Sequence, residues 1–164
     1  MNNILFIITG SIAASRCKEI ITLLHKKEVK ISCILTKEAK KYMKISDIKK
    51  LLKNRIFTDE DEKKNKMLHI NLSRDNDMIV VCPATANSIA KFANGYGDNL
   101  SSNTLLASNK KILFVPAMNS FMWHNKINQK NVRLLKDSGH EFIGPKIGNL
   151  KCGEFGLGRI DNSK

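Results

Sequence analysis

A set of continuous apolar runs, each closed by a glycine, proline or threonine, restricts the fold more than any other feature of this chain. Asn3-Ile4-Leu5-Phe6-Ile7-Ile8-Thr9 ends at Gly10, Met78 to Cys82 stops at Pro83, and Lys111 to Val115 stops at Pro116. A half-buried strand alternates apolar with polar residues, whereas a run that is apolar throughout belongs to a strand covered on both faces. Lys30 to Leu35, closed by Thr36, reads as another such strand, and Glu141 to Ile143 as a short fifth. Helical stretches fall between them: Ile12 to about Lys27, Thr85 to Asn94, Leu100 to Asn109, and Asn125 to Ser138 before Gly139. Two short basic helices are expected around Glu38 to Met43 and Ser46 to Lys53, and the charged stretch Thr58 to Lys66 reads as a mobile surface loop. Buried strands separated by helices predict an α/β protein, a three-layer α/β/α arrangement around a parallel sheet. No repeat or linker divides the 164 residues, so a single domain is expected.

Glycine usage shifts near the end. Five of the nine glycines lie between Gly144 and Gly158. The domain therefore reads as a body, 1–143, and a flexible glycine-rich segment, 144–164, that is suited to work as a flap over a site.

Lys plus Arg number 28 against 15 acids, a net charge of +13. Twenty-three of those cations are Lys, and the chain also carries 17 Asn and 19 Ile, the joint excess that an AT-rich coding sequence produces. A nucleic-acid partner would explain the charge but not the Asn and Ile, and no basic stretch is interleaved with stacking rings. No nucleic-acid partner is expected; the same positive field serves an anionic small substrate or cofactor. No apolar run approaches the roughly 20 residues that span a bilayer, and the first run is too short for a signal-peptide core. No membrane partner is expected, and the location expected is cytoplasmic. Cys17, Cys33, Cys82 and Cys152 form no CxxC pair and have no histidine at zinc-ligand spacing, so no metal site is expected. The first three suit buried positions; Cys152, among glycines, stands apart.

Open parallel sheets bind ligands beyond the carboxyl ends of their strands. Four such ends are legible: Thr9-Gly10-Ser11-Ile12, Leu35-Thr36, Pro83-Ala84-Thr85-Ala86-Asn87-Ser88 and Pro116-Ala117-Met118-Asn119. All place small or hydroxyl residues where a helix begins and its free N–H groups face a phosphate. There is no GxGxxG, P-loop or GxSxG, which weighs against dinucleotides, nucleoside triphosphates and a serine nucleophile. A mononucleotide such as FMN, held by several strand ends, fits what remains. Asn119 would turn its amide into the crevice to take a carboxylate without a charge, or cap the following helix. His69 precedes an apolar-alternating stretch, Ile70-Asn71-Leu72; a lone histidine is more often structural than catalytic.

Pro116-Ala117-Met118-Asn119-Ser120-Phe121-Met122-Trp123 resembles the PxMNxxMW signature of the flavin-containing cysteine decarboxylases. Pro83-Ala84-Thr85-Ala86-Asn87-Ser88-Ile89-Ala90-Lys91, Gly97-Asp98-Asn99-Leu100 and Leu68-His69-Ile70 resemble three further segments of that family, all in order. Lys151-Cys152-Gly153-Glu154-Phe155-Gly156-Leu157-Gly158-Arg159-Ile160 resembles the ACGDxGxGRM flap of its members that act on phosphopantothenoylcysteine.

The resemblance implies a flavodoxin-like (Rossmann-like) fold and FMN held at subunit interfaces of a homo-oligomer, a trimer or a dodecamer of trimers. It also implies decarboxylation of 4′-phosphopantothenoylcysteine to 4′-phosphopantetheine in coenzyme A biosynthesis. By the same resemblance, Gly10, Ser11, Ile12, Thr36, Thr85, Ala86, Asn87, Ser88 and Ala117 would bind FMN. Asn119, Met118 and Gly153 would contact substrate, His69 would be the active-site base, and Cys152 the flap acid. The chemistry is coherent: oxidising the thiol-bearing carbon to a thioaldehyde sets the carboxyl β to a C=S group, which accepts the electrons left by CO2. The enethiol then needs a proton and two electrons, and a thiol on a flap is suited to deliver the proton.

Departures from the family pattern are local. Arg16 stands where a Lys is usual and keeps the charge expected near FMN; Ser101 replaces a Leu; Lys151, Glu154 and Ile160 replace Ala, Asp and Met. Relatives lacking the flap cysteine stop at the enethiol of a peptide C-terminal cysteine, and others that have lost the histidine or cysteine act by binding proteins. Those two alternatives, a peptidyl-cysteine decarboxylase and a non-catalytic binder, are both disfavoured by the presence of His69 and Cys152. A separate phosphopantothenoylcysteine synthetase is the expected partner in the route.

Overall fold

A computed structural model describes residues 3–53 and 55–161. Its centre is a six-stranded sheet formed by β1 (Asn3–Ile8), β2 (Lys30–Leu35), β3 (Ile56–Phe57), β4 (Met78–Ala84), β5 (Ile112–Pro116) and β6 (Glu141–Phe142). Their order is β3-β2-β1-β4-β5-β6, and every pairing is parallel. Without the two-residue edge strand β3 this is the flavodoxin order, and with it the doubly wound Rossmann order; both reverse their winding between β1 and β4.

The apolar runs explain why the sheet is buried on both sides. Ile4, Phe6, Ile8, Val80 and Cys82 point to one face and pack with Cys17 and Ile21 of α1 (Cys17–Lys26) and Ile48 and Leu52 of α2 (Ile45–Leu52). Leu5, Ile7, Ile79, Val81 and Phe114 point to the other. There they meet Leu72 of α4 (Leu68–Arg74), Ile89 of α5 (Ala86–Ala93), Leu100 of α6 (Leu100–Leu106) and Val132 of α8 (Lys126–Asp137). Each side chain so buried contributes about 1.5–3 kcal/mol, which is why apolar residues dominate both faces of these runs. The expected single-domain α/β/α architecture is what the chain adopts.

Four local expectations need correction. The stretch read as a mobile loop contains a helix, α3 (Asp59–Lys64). Thr58 donates from its N–H (2.8 Å) and its hydroxyl (3.0 Å) to Asp61 Oδ2, and the four acids of the first turn face the positive end of the helix. His69 lies in α4 rather than beside an alternating strand, because Leu68 and Leu72, four residues apart, share the buried face. The chain after β1 first makes a 3-10 turn, Ile12–Arg16, capped by Ser11, and becomes α-helical only at Cys17. The glycine-rich segment forms an antiparallel hairpin, β7 (Lys146–Asn149) with β8 (Phe155–Arg159), which its composition conceals.

Among the described residues no helix is long and apolar enough to cross a membrane. Cys17, Cys33 and Cys82 are buried and Cys152 is exposed. The Cys17 thiol donates to the Cys82 carbonyl at 3.2 Å, and its interaction with the neighbouring Cys82 thiol together with burial holds its pKa well above the ordinary thiol value. Burial alone pushes the Cys33 thiol up. Because the thiolate is the reactive form, the native protein should show one fast thiol towards an aromatic disulfide reagent and release the other three only on unfolding. In Cys152→Ser the fast phase should vanish.

Candidate active site

The carboxyl ends of β1, β2, β4 and β5 meet at one edge of the sheet and are tied to each other there. Thr9 Oγ1 donates to the Pro83 carbonyl at 2.6 Å, joining the ends of β1 and β4 where the winding reverses. Thr36 Oγ1 donates to the Ile8 carbonyl at 3.1 Å and accepts from the Ala39 N–H at 3.3 Å. Thr85 caps α5, accepting from the Ser88 N–H at 3.2 Å, and the Ala117 N–H donates to the Ala84 carbonyl at 3.1 Å. Gly10 is required by a close approach: a Cβ there would collide with the Cβ of Glu38.

These ends enclose a central cleft of about 440 Å³. Gly10, Ser11, Thr36, Thr85, Ala86, Asn87, Ser88 and Ala117, eight of the nine residues expected at the cofactor, line it. Ile12 does not; half exposed, it lies in a neighbouring cleft. The lining suits a mononucleotide. Hydroxyls and the first N–H groups of α5 serve a phosphate and a polyol, while Phe92, Leu105, Met118 and Met122 offer apolar surface to a ring. Ser101, the departure from a family Leu, lines the same cleft and donates to Asn99 Oδ1 at 2.6 Å. Lys91 pairs with Asp98 at 2.5 Å and holds that carboxyl below its usual range.

A second cleft, of about 400 Å³, shares Ser11, Ala117 and Met118 with the first and is closed by the hairpin. Asn119 stands here with its amide divided between two tasks. Its Oδ1 accepts from the Met122 N–H at 3.1 Å, capping α7 (Ser120–His124), and its Nδ2 donates to Glu154 Oε2 at 2.6 Å. Cap and crevice ligand are thus the same side chain. Cys152 Sγ lies 3.5 Å from the same Glu154 oxygen and 3.9 Å from Asn119 Nδ2. Gly153 sits in the turn of the hairpin, outside the cleft lining. The base of the hairpin is anchored by the Met118 N–H to the Gly158 carbonyl (3.0 Å) and by Ser120 Oγ to the Leu157 carbonyl (2.7 Å).

His69 occupies neither of these clefts. It lines a third, more open one that shares Lys37, Asp59 and Asn99 with the central cleft. Its Nδ1 is 2.8 Å from Glu62 Oε1, close enough for an ion pair but not aligned as a hydrogen bond. Glu62 also accepts from Asn103 Nδ2 at 3.4 Å, and Asp59 Oδ1 accepts from the Leu100 N–H at 3.0 Å, so α3 is tied to α6. Within one chain, therefore, His69 and the pair Asn119 and Cys152 lie in separate clefts that share different residues with the central one. Glu62, Asp59 and Glu154 are site residues that the sequence reading missed. The Thr58–Asp61 cap would have revealed α3 and with it the first two; the third was marked only as the acid of the flap motif, with no partner assigned.

The flavoprotein family profile matches residues 1–164. The chain belongs to the flavoprotein family. It is 32% identical over 161 residues to a probable phosphopantothenoylcysteine decarboxylase of Streptococcus mutans, covering 96% of this chain and 90% of that protein. It is 36% identical over 155 residues to the coenzyme A biosynthesis bifunctional protein CoaBC of Haemophilus influenzae, covering 93% of this chain but 39% of that protein. The chain thus spans about two fifths of the length of the CoaBC relatives it matches. Among solved structures it resembles a cysteine-to-serine variant of PPC decarboxylase complexed with pantothenoylaminoethenethiol. That match has a TM-score of 0.87 at 28% identity, covering 98% of this chain and 91% of that one.

Asn119→Asp would set a second carboxylate against Glu154 in place of the 2.6 Å hydrogen bond. Losing a hydrogen bond to a charged group and adding like-charge repulsion costs roughly 1.5–3 kcal/mol. Amide exchange in residues 150–156 should therefore quicken by about tenfold or more, against unchanged β1 and β4, and Asn119→Asp/Glu154→Gln should restore much of the protection.

Proposed function

We propose that this chain is an FMN-dependent decarboxylase of 4′-phosphopantothenoylcysteine, producing 4′-phosphopantetheine for coenzyme A biosynthesis. The observation that carries this reading is the trio beside the mononucleotide cleft: an amide already holding a carboxylate at 2.6 Å and a thiol 3.9 Å from that amide. A cysteine substrate offers the same two groups, a carboxylate and a thiol-bearing carbon. FMN, when bound, supplies reversible two-electron chemistry at that carbon.

The chain's own groups handle position and protons. Asn119 holds the substrate carboxylate with a neutral donor, which matters because that group loses its charge as CO2 forms. A fixed cation there would stabilise the starting carboxylate more than the transition state and slow the step. His69 takes the substrate thiol proton; Glu62 beside Nδ1 favours the proton on that nitrogen and leaves Nε2 to accept. Cys152 Sγ holds the proton that the enethiol needs on its way to the saturated product. The flap hairpin with Cys152 also weighs against the peptide-cysteine reaction, which ends before that protonation.

Because His69 and Cys152 line separate clefts within one chain, a working site takes His69 from one copy and the flap from the next, in a homotrimer or an assembly of trimers. Phe121 and Phe155, 79% and 74% exposed beside the flap cleft, supply apolar surface for such a contact. Four thiols without a disulfide suit a reducing cytoplasm, where a phosphopantothenoylcysteine synthetase, as in the bifunctional relatives, would supply the substrate.

The product mass after incubation with FMN and 4′-phosphopantothenoylcysteine tests the reading: loss of CO2 alone is expected, and unchanged substrate beside bound flavin would refute it. Cys152→Ser should release CO2 yet yield a product lighter by two further hydrogens. His69→Asn should keep the yellow colour and lose turnover. Neither variant alone should make the saturated product; equal mixtures of the two, co-refolded, should regain about a quarter of the wild-type rate of its formation if each site draws on two copies at random, and no recovery would place both residues in one chain's site.

A further inference from the structure

The flap cleft carries more positive charge than its reacting end can use. Arg16, Lys151 and Arg159 line it, the Glu154 carboxylate at its reacting end is taken up by Asn119, and among the described residues none of the three cations forms an ion pair. Arg16, expected near the cofactor, faces this cleft and not the central one.

Arg159 is held rather than loose. Its side chain runs across the bare backbone of Gly148, where a Cβ would come within 2.9 Å of Cδ and 3.2 Å of Nη1. The next residue, Ile160, is buried in the same core as Ala14 and Cys17, which flank Arg16, so the end of β8 is packed beside the turn that carries Arg16. Two guanidiniums thus serve one cleft without a counter-ion from the chain. Lys151 adjoins Cys152 and stays at the reacting end.

We propose that Arg16 and Arg159 form the subsite for the substrate's phosphomonoester, at the far end of the pantothenoyl arm from Asn119. The inference rests on the decarboxylase reading above and adds what selects its substrate. A guanidinium fork matches phosphate oxygens two at a time and keeps its charge at any working pH. The chemistry of the two ends explains their different donors. The carboxylate is consumed and is met by a neutral amide. The phosphate is a spectator whose charge persists, so strong cationic binding there positions the arm without penalising the reaction. A peptide ending in cysteine has no such group, so this pair discriminates between the two substrate classes of the family.

The test compares calorimetric binding of 4′-phosphopantetheine and of pantetheine to the FMN-loaded protein, in wild type, Arg16→Gln and Arg159→Gln, with Arg159→Lys as a gentler variant. The wild type should prefer the phosphorylated ligand by at least about tenfold, and each Gln variant should lose most of that preference while binding pantetheine as before. Arg159→Lys should fall between. FMN affinity should be unchanged in all of them; loss of flavin instead would assign the arginines to the cofactor's phosphate and overturn the proposal. Equal wild-type affinities, or a preference retained in both Gln variants, would overturn it too. Decarboxylation is scored separately: an arginine-dependent phosphate preference without CO2 release would refute the activity and leave the subsite standing.

Discussion

The hydrogen bond from the buried Thr9 hydroxyl to the Pro83 carbonyl is the contact on which the rest of the site depends. It joins the two central strands at the point where the winding reverses and the helices on either side diverge. That divergence opens the central cleft, and the chain-end residues that line it are fixed by short bonds of the same kind: Thr36 to Ile8, Thr85 to Ser88, Ala117 to Ala84. A buried hydroxyl left without that carbonyl would cost about 1–3 kcal/mol, so the chain can keep the crevice only by keeping the bond. Rigidity at the floor of the cleft follows from the parallel sheet; variety is left to the loops.

The same division decides what could be read from the sequence. Fully apolar runs ended by Gly10, Pro83 and Pro116 mark buried strands and their carboxyl ends directly, because only a doubly covered strand needs apolar residues on both sides. Eight of the nine residues that the resemblance assigns to the cofactor come from those ends and line the central cleft. The misses share a physical cause. The helix after Thr58 is built almost wholly from charged residues and is stabilised by its cap and its dipole, neither of which has a periodic apolar signature. The terminal hairpin holds its pairing through backbone groups in glycine-rich strands, where side-chain alternation is nearly absent. Arg16 was legible as a charge but not as a direction, since the 3-10 turn that aims it is invisible in composition.

The division of labour between neutral and cationic donors runs through the whole edge of the sheet. Asn119 is a neutral donor to the Glu154 carboxylate, and the hydroxyls around the central cleft are neutral donors too. Lys91 is paired with Asp98, so its charge is already partnered by the chain. Among the described residues, Lys37 at the mouth of that cleft forms no ion pair, and Arg16, Lys151 and Arg159 line the flap cleft likewise without one. The net charge of the chain therefore contributes a general attraction for anions, while local pairing decides where an anion can settle.

The anchoring of the hairpin has a consequence for how the flap moves. Gly158 and Leu157 are bonded to the segment that carries Met118 and Ser120, and Ile160 is sunk in the core, so the second strand of the hairpin is a fixed post. Only the turn between Asn149 and Phe155 is unanchored, apart from the grip of Glu154 on Asn119. Opening is then the swing of a short loop about two fixed strands, a displacement of loop size on the ns–μs scale, fast beside ordinary turnover. The hydrogen bond from Asn119 to Glu154 is therefore a latch on that loop, and any carboxylate that competes for the same amide would free the turn to swing.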